Sequence, residues 1–221
     1  ILDLKFQTFV GMHPVPIVHG MTLGEYAKMI NGEEWLGKNL KCKLQIVKIK
    51  NYTHNTRYIL PVRPSPNLPN NQSILLYPSL CLLEPTTVSI GRGTEKQFQI
   101  YGHPNFPKSK FTFKPSPNFG SKTPKWNGNL CNGVSLEKIK VSDQLNLNWL
   151  IDAYEKLPKK YIFFKDSFER IAGTDKLRKQ IINKTSINDI RRSWEAGLTN
   201  FKKIRKKYLI YPDYDLNLFE N

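Results

Sequence analysis

Cysteine is scarce and poorly spaced: Cys42, Cys81 and Cys131 lie far apart, odd in number, with no Cys-x-x-Cys pair. That argues against a zinc site or a disulfide framework and leaves buried free thiols as the expected state. Histidine is equally sparse. His13, His19, His54 and His103 have no partners at ligand spacing, so no metal is expected. Neither a Gly-x-Ser-x-Gly elbow nor a Walker loop occurs, and no cofactor is expected. No apolar run approaches the ~20 residues of a membrane-crossing helix, so no membrane span is expected. The first residues, Ile1-Leu-Asp-Leu-Lys5, show no basic region leading into an apolar stretch, and the initial isoleucine suggests a processed product or a fragment.

Acidic residues are also few. There are 18 against 34 Lys and Arg, a net charge of +16. Such a balance attracts polyanions: nucleic acid, anionic membrane surfaces or anionic cell-wall polymers. The lysines are spread along the chain, however. The densest cluster, Lys202-Lys203 with Arg205-Lys206-Lys207, falls on a predicted helix and reads as a solvated face. Basic residues and aromatics form no recognisable stacking platform or recognition helix, which argues against nucleic acid as partner. The apolar content, 39%, is ample for a core.

Several elements are legible. Thr22-Leu-Gly-Glu25 fits a capping box opening a helix to about Ile30, closed by Asn31-Gly32. Lys43-Leu-Gln-Ile-Val-Lys-Ile49 alternates as a half-buried strand does. Pro61 to Pro69 is too proline-rich for a central strand or helix. Ile74-Leu-Leu-Tyr77 reads as a short buried strand. Gln97-Phe-Gln-Ile-Tyr101, Lys110-Phe-Thr-Phe-Lys114 and the stretch from Gly133 to Val141 read as further strands. After Ser142 the character changes. Leu145, Leu147, Trp149-Leu150 and Tyr154 predict a helix ending near Pro158, and Asp175 to Ile182 predicts another. Ile187, Ile190, Trp194, Leu198, Phe201, Ile204 and Tyr208 recur as one helical stripe, capped by Ser186 with Asp189. The expected class is α+β: a strand-rich, loop-heavy part, 1–141, packed with a helical part, 142–221, as one compact unit without internal repeats.

Four segments hold polar residues that packing explains poorly. His19-Gly-Met-Thr22 precedes a helix N-terminus, where an anion is favoured; a capping turn with a structural histidine fits equally. In Pro64-Ser-Pro-Asn67 the prolines either aim Asn67 at a ligand or make a rigid connector. Tyr77-Pro78 leads through Cys81 to Glu84. That carboxylate is either held among apolar neighbours for general-acid work or a plain surface glutamate. Gly91-Arg92-Gly93-Thr94 follows Ser89. Glycines there allow a tight turn that either presents the Arg92 fork to a carboxylate or phosphate or leaves it in water.

In order, Phe9-Val-Gly11, Pro16, His19-Gly-Met-Thr22, Pro64-Ser-Pro-Asn67, Tyr77-Pro78, Cys81-Leu-Leu-Glu84 and Gly91-Arg-Gly-Thr94 resemble the exo-β-N-acetylmuramidase (NamZ) family. So do Leu130-Cys-Asn-Gly-Val134, Ile171-Ala-Gly-Thr-Asp175, Ser193-Trp194 and Tyr208-Leu-Ile-Tyr211. The resemblance implies a larger protein, with a pocket between an N-terminal Rossmann-like domain and a C-terminal mixed domain. On it, this chain is expected to be the C-terminal domain, with the N-terminal domain absent. It implies a periplasmic or secreted glycoside hydrolase that releases N-acetylmuramic acid (MurNAc) from non-reducing ends of peptidoglycan fragments. An acid and a second carboxylate are then required. Most of that pair is expected on the absent domain, with Glu84 the local candidate for an acidic or supporting role. Arg92 is expected to clamp the lactyl carboxylate of MurNAc while Ser89 and Thr94 bond the sugar; Asn67, His19, Thr22 and Tyr77 complete the expected substrate-binding set. Ser79 and Pro85 stand where the resemblance leads us to expect glycines. The alternatives are a non-catalytic wall-glycan-binding module and, further off, a nucleic-acid-binding protein.

Overall fold

The computed structural model describes residues 1–214. In chain order the helices are α1 (Leu23–Gly32), α2 (Asn71–Leu80), α3 (Asn148–Lys156), α4 (Phe168–Ala172), α5 (Lys176–Ile182), α6 (Ile187–Arg192) and α7 (Glu195–Lys206). The strands are β1 (Ile100–His103), β2 (Thr112–Phe113) and β3 (Cys131–Ser135). The class is α+β, with the strands before residue 142 and α3 to α7 after it. Residues 215–221, the end of the expected helical part, lie outside the described residues. Where one unit was expected, the chain divides into two. One is built from Ile1–Tyr58 with the described residues from Arg191 onward; the other is Ile59–Ile190.

The first unit is organised around a buried carboxylate. α1 opens on the expected capping box: Glu25 N–H donates to Thr22 Oγ1 (3.4 Å), and Thr22 N–H donates to Glu25 Oε2 (2.8 Å). Glu25 is fully buried. Its Oε1 accepts the N–H of Ile210 (2.8 Å) and of Tyr211 (3.3 Å), and lies 3.1 Å from His54 Nε2. Burial pushes its pKa up. The N–H groups of Ile210 and Thr22, with His54, more than offset this and hold it below the ordinary 4.5.

Residues 43–49 are not a strand here. They pass beside α1, where Ile46 meets Gly24, tied at Cys42 by the Asn31 amide and at Ile49 by the Tyr211 hydroxyl. The C-terminal stripe is helical as expected but breaks at Ser193-Trp194, giving α6 and α7. Ser186 caps α6, its Oγ accepting from Asp189 N–H (3.1 Å). The basic cluster on α7 is not wholly a solvated face. Arg205 turns inward, donating through Nε and Nη2 to Gly20 O (3.0 and 2.6 Å) and through Nη1 and Nη2 to Asp213.

In the second unit, β3 is the middle strand of an antiparallel sheet of order β1-β3-β2, with Tyr101 facing Val134 and Phe113 facing Cys131. The strands are shorter than expected. Gln97 to Gln99 form a turn, with Phe98 at φ 53°, and β3 ends at Ser135. The apolar run Ile74-Leu-Leu-Tyr77 belongs to α2, not to a strand. Asn70 decides this: its Oδ1 accepts Ser73 N–H (3.0 Å) while Ser73 Oγ accepts Asn70 N–H (3.3 Å), a reciprocal cap just ahead of the run. A 3-10 turn over Cys81–Leu83 follows, putting Leu76, Leu80, Leu82 and Leu83 into the core with Ile100, Leu150 and Phe168. α2, the 3-10 turn and the loop to β1 together carry the candidate site.

Candidate functional site

Four of the expected residues meet on one stretch of the second unit. Tyr77 lies on α2, Glu84 follows the 3-10 turn, and Ser89 and Arg92 lie on the loop that folds back toward β1. Arg92 Nη1 donates to Glu84 Oε1 at 2.7 Å, both side chains part-exposed. Its remaining N–H groups have no partner among the described residues. Tyr77 stands beside the pair, its ring 4.8 Å from that of Phe98. Burial, then the neighbouring Cys81 and Glu84, push the Tyr77 phenol up, so it is a neutral donor. Burial likewise pushes the Cys81 thiol up to about 12; it donates to Pro78 O (3.2 Å) and is no nucleophile. Cys131 is buried as expected, whereas Cys42 is exposed.

The turn that carries Arg92 needs its glycines. Gly91 and Gly93 sit at φ 78° and 81°, in the left-handed region. A Cβ on Gly91 would lie 2.6 Å from Lys96 O, and one on Gly93 2.7 Å from Ser116 O. The flanking hydroxyls build the turn. Ser89 is buried, its Oγ accepting Gly91 N–H (3.3 Å). Thr94 Oγ1 donates to Gly91 O (2.6 Å) and accepts Lys96 N–H (3.0 Å). Both therefore face their own backbone, where the sequence led us to expect them on a sugar. Asn67 supports the same loop from outside: its Nδ2 donates to Gly120 O (2.7 Å), and Asn118 in that segment donates to Thr94 O (3.3 Å). Asn67 Oδ1 is buried without a partner.

Glu84 pairs with Arg92, and its main chain is gripped by Lys125, a residue that sequence reasoning missed. Lys125 Nζ donates to the carbonyls of Glu84 (2.8 Å), Val88 (3.0 Å) and Leu83 (3.4 Å). Burial, helped by Lys165, lowers its pKa to about 7. No local pattern marks it, because its partners lie some forty residues upstream. Trp126, next in sequence, holds φ 60° and donates Nε1–H to Thr87 O (2.7 Å), closing the same loop. Ser79 Oγ accepts Asn146 N–H (2.8 Å), and Pro85 O, next to Glu84, accepts Lys165 N–H (3.0 Å).

His19 and Thr22 belong to the other unit. The anion-favouring start of α1 is already filled by Glu25, which accepts from both the N–H and the hydroxyl of Thr22. His19 stacks on Tyr26 (5.2 Å) and accepts Met21 N–H on Nδ1. Burial, then the Arg205 charge, lower its pKa. No group of three or more potential metal ligands occurs among the described residues. None of their helices is long and apolar enough to cross a membrane.

The family model for "Exo-beta-N-acetylmuramidase NamZ, C-terminal" matches residues 75–211, and that for "Exo-beta-N-acetylmuramidase NamZ, N-terminal" matches residues 1–72. The second match overturns the expectation that the N-terminal domain is absent and the chain wholly C-terminal. Peptidoglycan beta-N-acetylmuramidase NamZ of Bacillus subtilis is 34% identical over 236 residues, covering 96% of this chain and 55% of that protein. The chain thus spans about half the length of its curated relative. A crystal structure of a DUF1343 family protein from Bacteroides fragilis is 47% identical, with a TM-score of 0.93 over 97% of this chain and 62% of that one. A second DUF1343 protein of that organism, 20% identical with a TM-score of 0.75 over 96% of this chain and 61% of its own, shares the fold.

Proposed function

Since the chain belongs to the exo-β-N-acetylmuramidase NamZ family, we propose that it is part of a peptidoglycan-processing glycosidase and that its second unit recognises MurNAc at the Arg92 turn. The observation that carries the reading is Arg92 itself. It is held by one bond to Glu84, raised on a turn only glycines can make, and has guanidinium N–H groups to spare beside the neutral Tyr77 phenol. A planar fork with free donors suits a carboxylate, and MurNAc differs from N-acetylglucosamine by its lactyl carboxylate.

In this reading Arg92 clamps the lactyl group and Tyr77 donates to the sugar. Glu84 orients Arg92 in a supporting role, while Ser89, Thr94, Asn67 and Lys125 shape the turn. Release of MurNAc from the non-reducing end is the activity proposed for the whole protein, with a carboxylic acid and a second carboxylate at the cleaved bond. A wall substrate goes with a periplasmic or secreted location, and the surplus of positive charge favours an anionic polymer.

Calorimetric titration with MurNAc and with N-acetylglucosamine tests the reading. MurNAc should bind the tighter, and Arg92→Ala should weaken it by roughly tenfold to a hundredfold, the cost of one lost hydrogen bond to a charged group. Equal affinities, or an indifferent Arg92→Ala, would remove the lactyl clamp. Turnover of a chromogenic muramoyl glycoside separates a catalytic chain from a binding module.

A further inference from the structure

The loop from Leu83 to Arg92 is mostly buried, so its main-chain polar groups need partners inside the protein. Two consecutive residues of another segment supply several of them. Trp126 Nε1–H donates to Thr87 O, and Lys125 Nζ donates to the carbonyls of Leu83, Glu84 and Val88. Glu84 O and Val88 O accept from no other group among the described residues. An ammonium has three N–H donors and no lone pair, which matches three carbonyls. A neutral amine has two donors, and its lone pair would face one of the three oxygens. The shape of the loop that leads to Arg92 therefore depends on one proton.

The charges that face Lys125 are Lys165, from the segment ahead of α4, and Glu84 and Arg92 of the loop itself. Burial opposes the proton most; Lys165 and Arg92 oppose it too, Glu84 favours it, and the pKa falls from 10.5 to about 7. Other groups nearby do not share this range. Burial pushes the Cys81 thiol up to about 12, raises the Tyr77 phenol above its ordinary 10, and lowers His103, whose ring meets Trp126 at 4.4 Å, to about 4. An anion held by Arg92 adds negative charge to this set and so favours the ammonium.

We propose that Lys125 is a positioning residue for the Arg92 turn and that its proton and the ligand's carboxylate bind together. The ammonium form sets the loop for an anion, and the amine form holds it less well. This rests on the reading that the turn takes the lactyl carboxylate of MurNAc. The proton comes from solvent and returns to it, with no other bond changed. Its loss does not melt the protein. A lysine whose folded pKa lies below its ordinary value contributes stability that rises, not falls, as pH climbs from about 7 to 10.5.

The test begins without ligand. NMR amide shifts of residues 84–94 should move together between about pH 6 and pH 9, with a midpoint near 7, while the chain stays folded. Lys125→Met should abolish that midpoint. MurNAc affinity, measured by calorimetry, should fall about fivefold or more across the same range. By the same linkage, binding at about pH 8 should take up protons, read as heats that differ between phosphate and Tris buffers. A loop without a midpoint near 7, an unchanged midpoint in Lys125→Met, or an affinity indifferent to pH would overturn the proposal. Should the Met variant not fold, the parent's own titration and proton uptake decide. No MurNAc binding at any pH would instead remove the lactyl clamp, and the ligand-free titration would still decide whether Lys125 positions the loop.

Discussion

Glu84 Oε1 and Arg92 Nη1 are 2.7 Å apart, brought together by a loop that folds back over eight residues. An ion pair this exposed contributes little to stability, about 0–1 kcal/mol. Its effect is directional: it fixes one edge of the guanidinium and leaves the others facing outward. Glu84→Gln keeps the shape and removes the charge. Thermal melting should move little, while MurNAc affinity falls by less than in Arg92→Ala. A Gln variant that unfolds the loop, or that binds MurNAc as tightly as the parent, would contradict the orienting role.

Gly93→Ala places a methyl 2.6 Å from Pro124 Cβ and 2.7 Å from Ser116 O, on a residue at φ 81°. Neither neighbour is the free end of a flexible side chain. Strain and overpacking together should destabilise the second unit by about 2 kcal/mol or more, read as a lower urea midpoint. MurNAc affinity should fall with it, because the turn that presents Arg92 is displaced.

Lys125→Met keeps the aliphatic stem and removes the ammonium; the carbonyls of Glu84 and Val88 lose their donor, while Leu83 O keeps Thr86. A loss of about 1–3 kcal/mol is expected, the scale of acceptors left unpaired. Amide exchange should rise first in the loop around residues 83–88. A neutral outcome would mean that water replaces the ammonium without cost.

Glu25 links stability to pH. Its folded pKa lies below the ordinary 4.5, so its stabilisation is fully present above 4.5 and is lost as pH falls through the lowered value. Melting temperature of the parent should therefore drop on acidification below 4.5, and Glu25→Gln should flatten that part of the curve. The variant should also be less stable at neutral pH by about 3 kcal/mol or more, since His54 and the backbone N–H groups of Thr22, Ile210 and Tyr211 lose a charged acceptor.

What was legible in the sequence was local. Thr22 and Glu25 are three residues apart and form the expected capping box. Asn70 and Ser73 make the same device, but four apolar residues in a row, Ile74 to Tyr77, looked like a strand because periodicity cannot assign so short a run. The alternation of residues 43–49 predicts a strand, but the segment forms none, because a strand needs a neighbour and no local pattern supplies one. Trp194 fits the stripe of the last helix, yet it stands at the break before α7. At the candidate site, the Gly91-Arg92-Gly93 turn announced itself through its glycines. The partner of Arg92 and the direction of the Ser89 and Thr94 hydroxyls depend on how the loop closes on itself. Lys125 was invisible because a lone lysine carries no sign of three carbonyls some forty residues away.

The first unit is sewn from both ends of the chain, and its central bond joins Glu25 to Ile210, 185 residues apart. During synthesis the contiguous unit, Ile59–Ile190, can fold once its own sequence has emerged. The split unit has residues 1–58 made before that unit, yet it cannot close around the Glu25 carboxylate until Ile210 and Tyr211 arrive. Of the two units, the one begun earlier is therefore the one completed later.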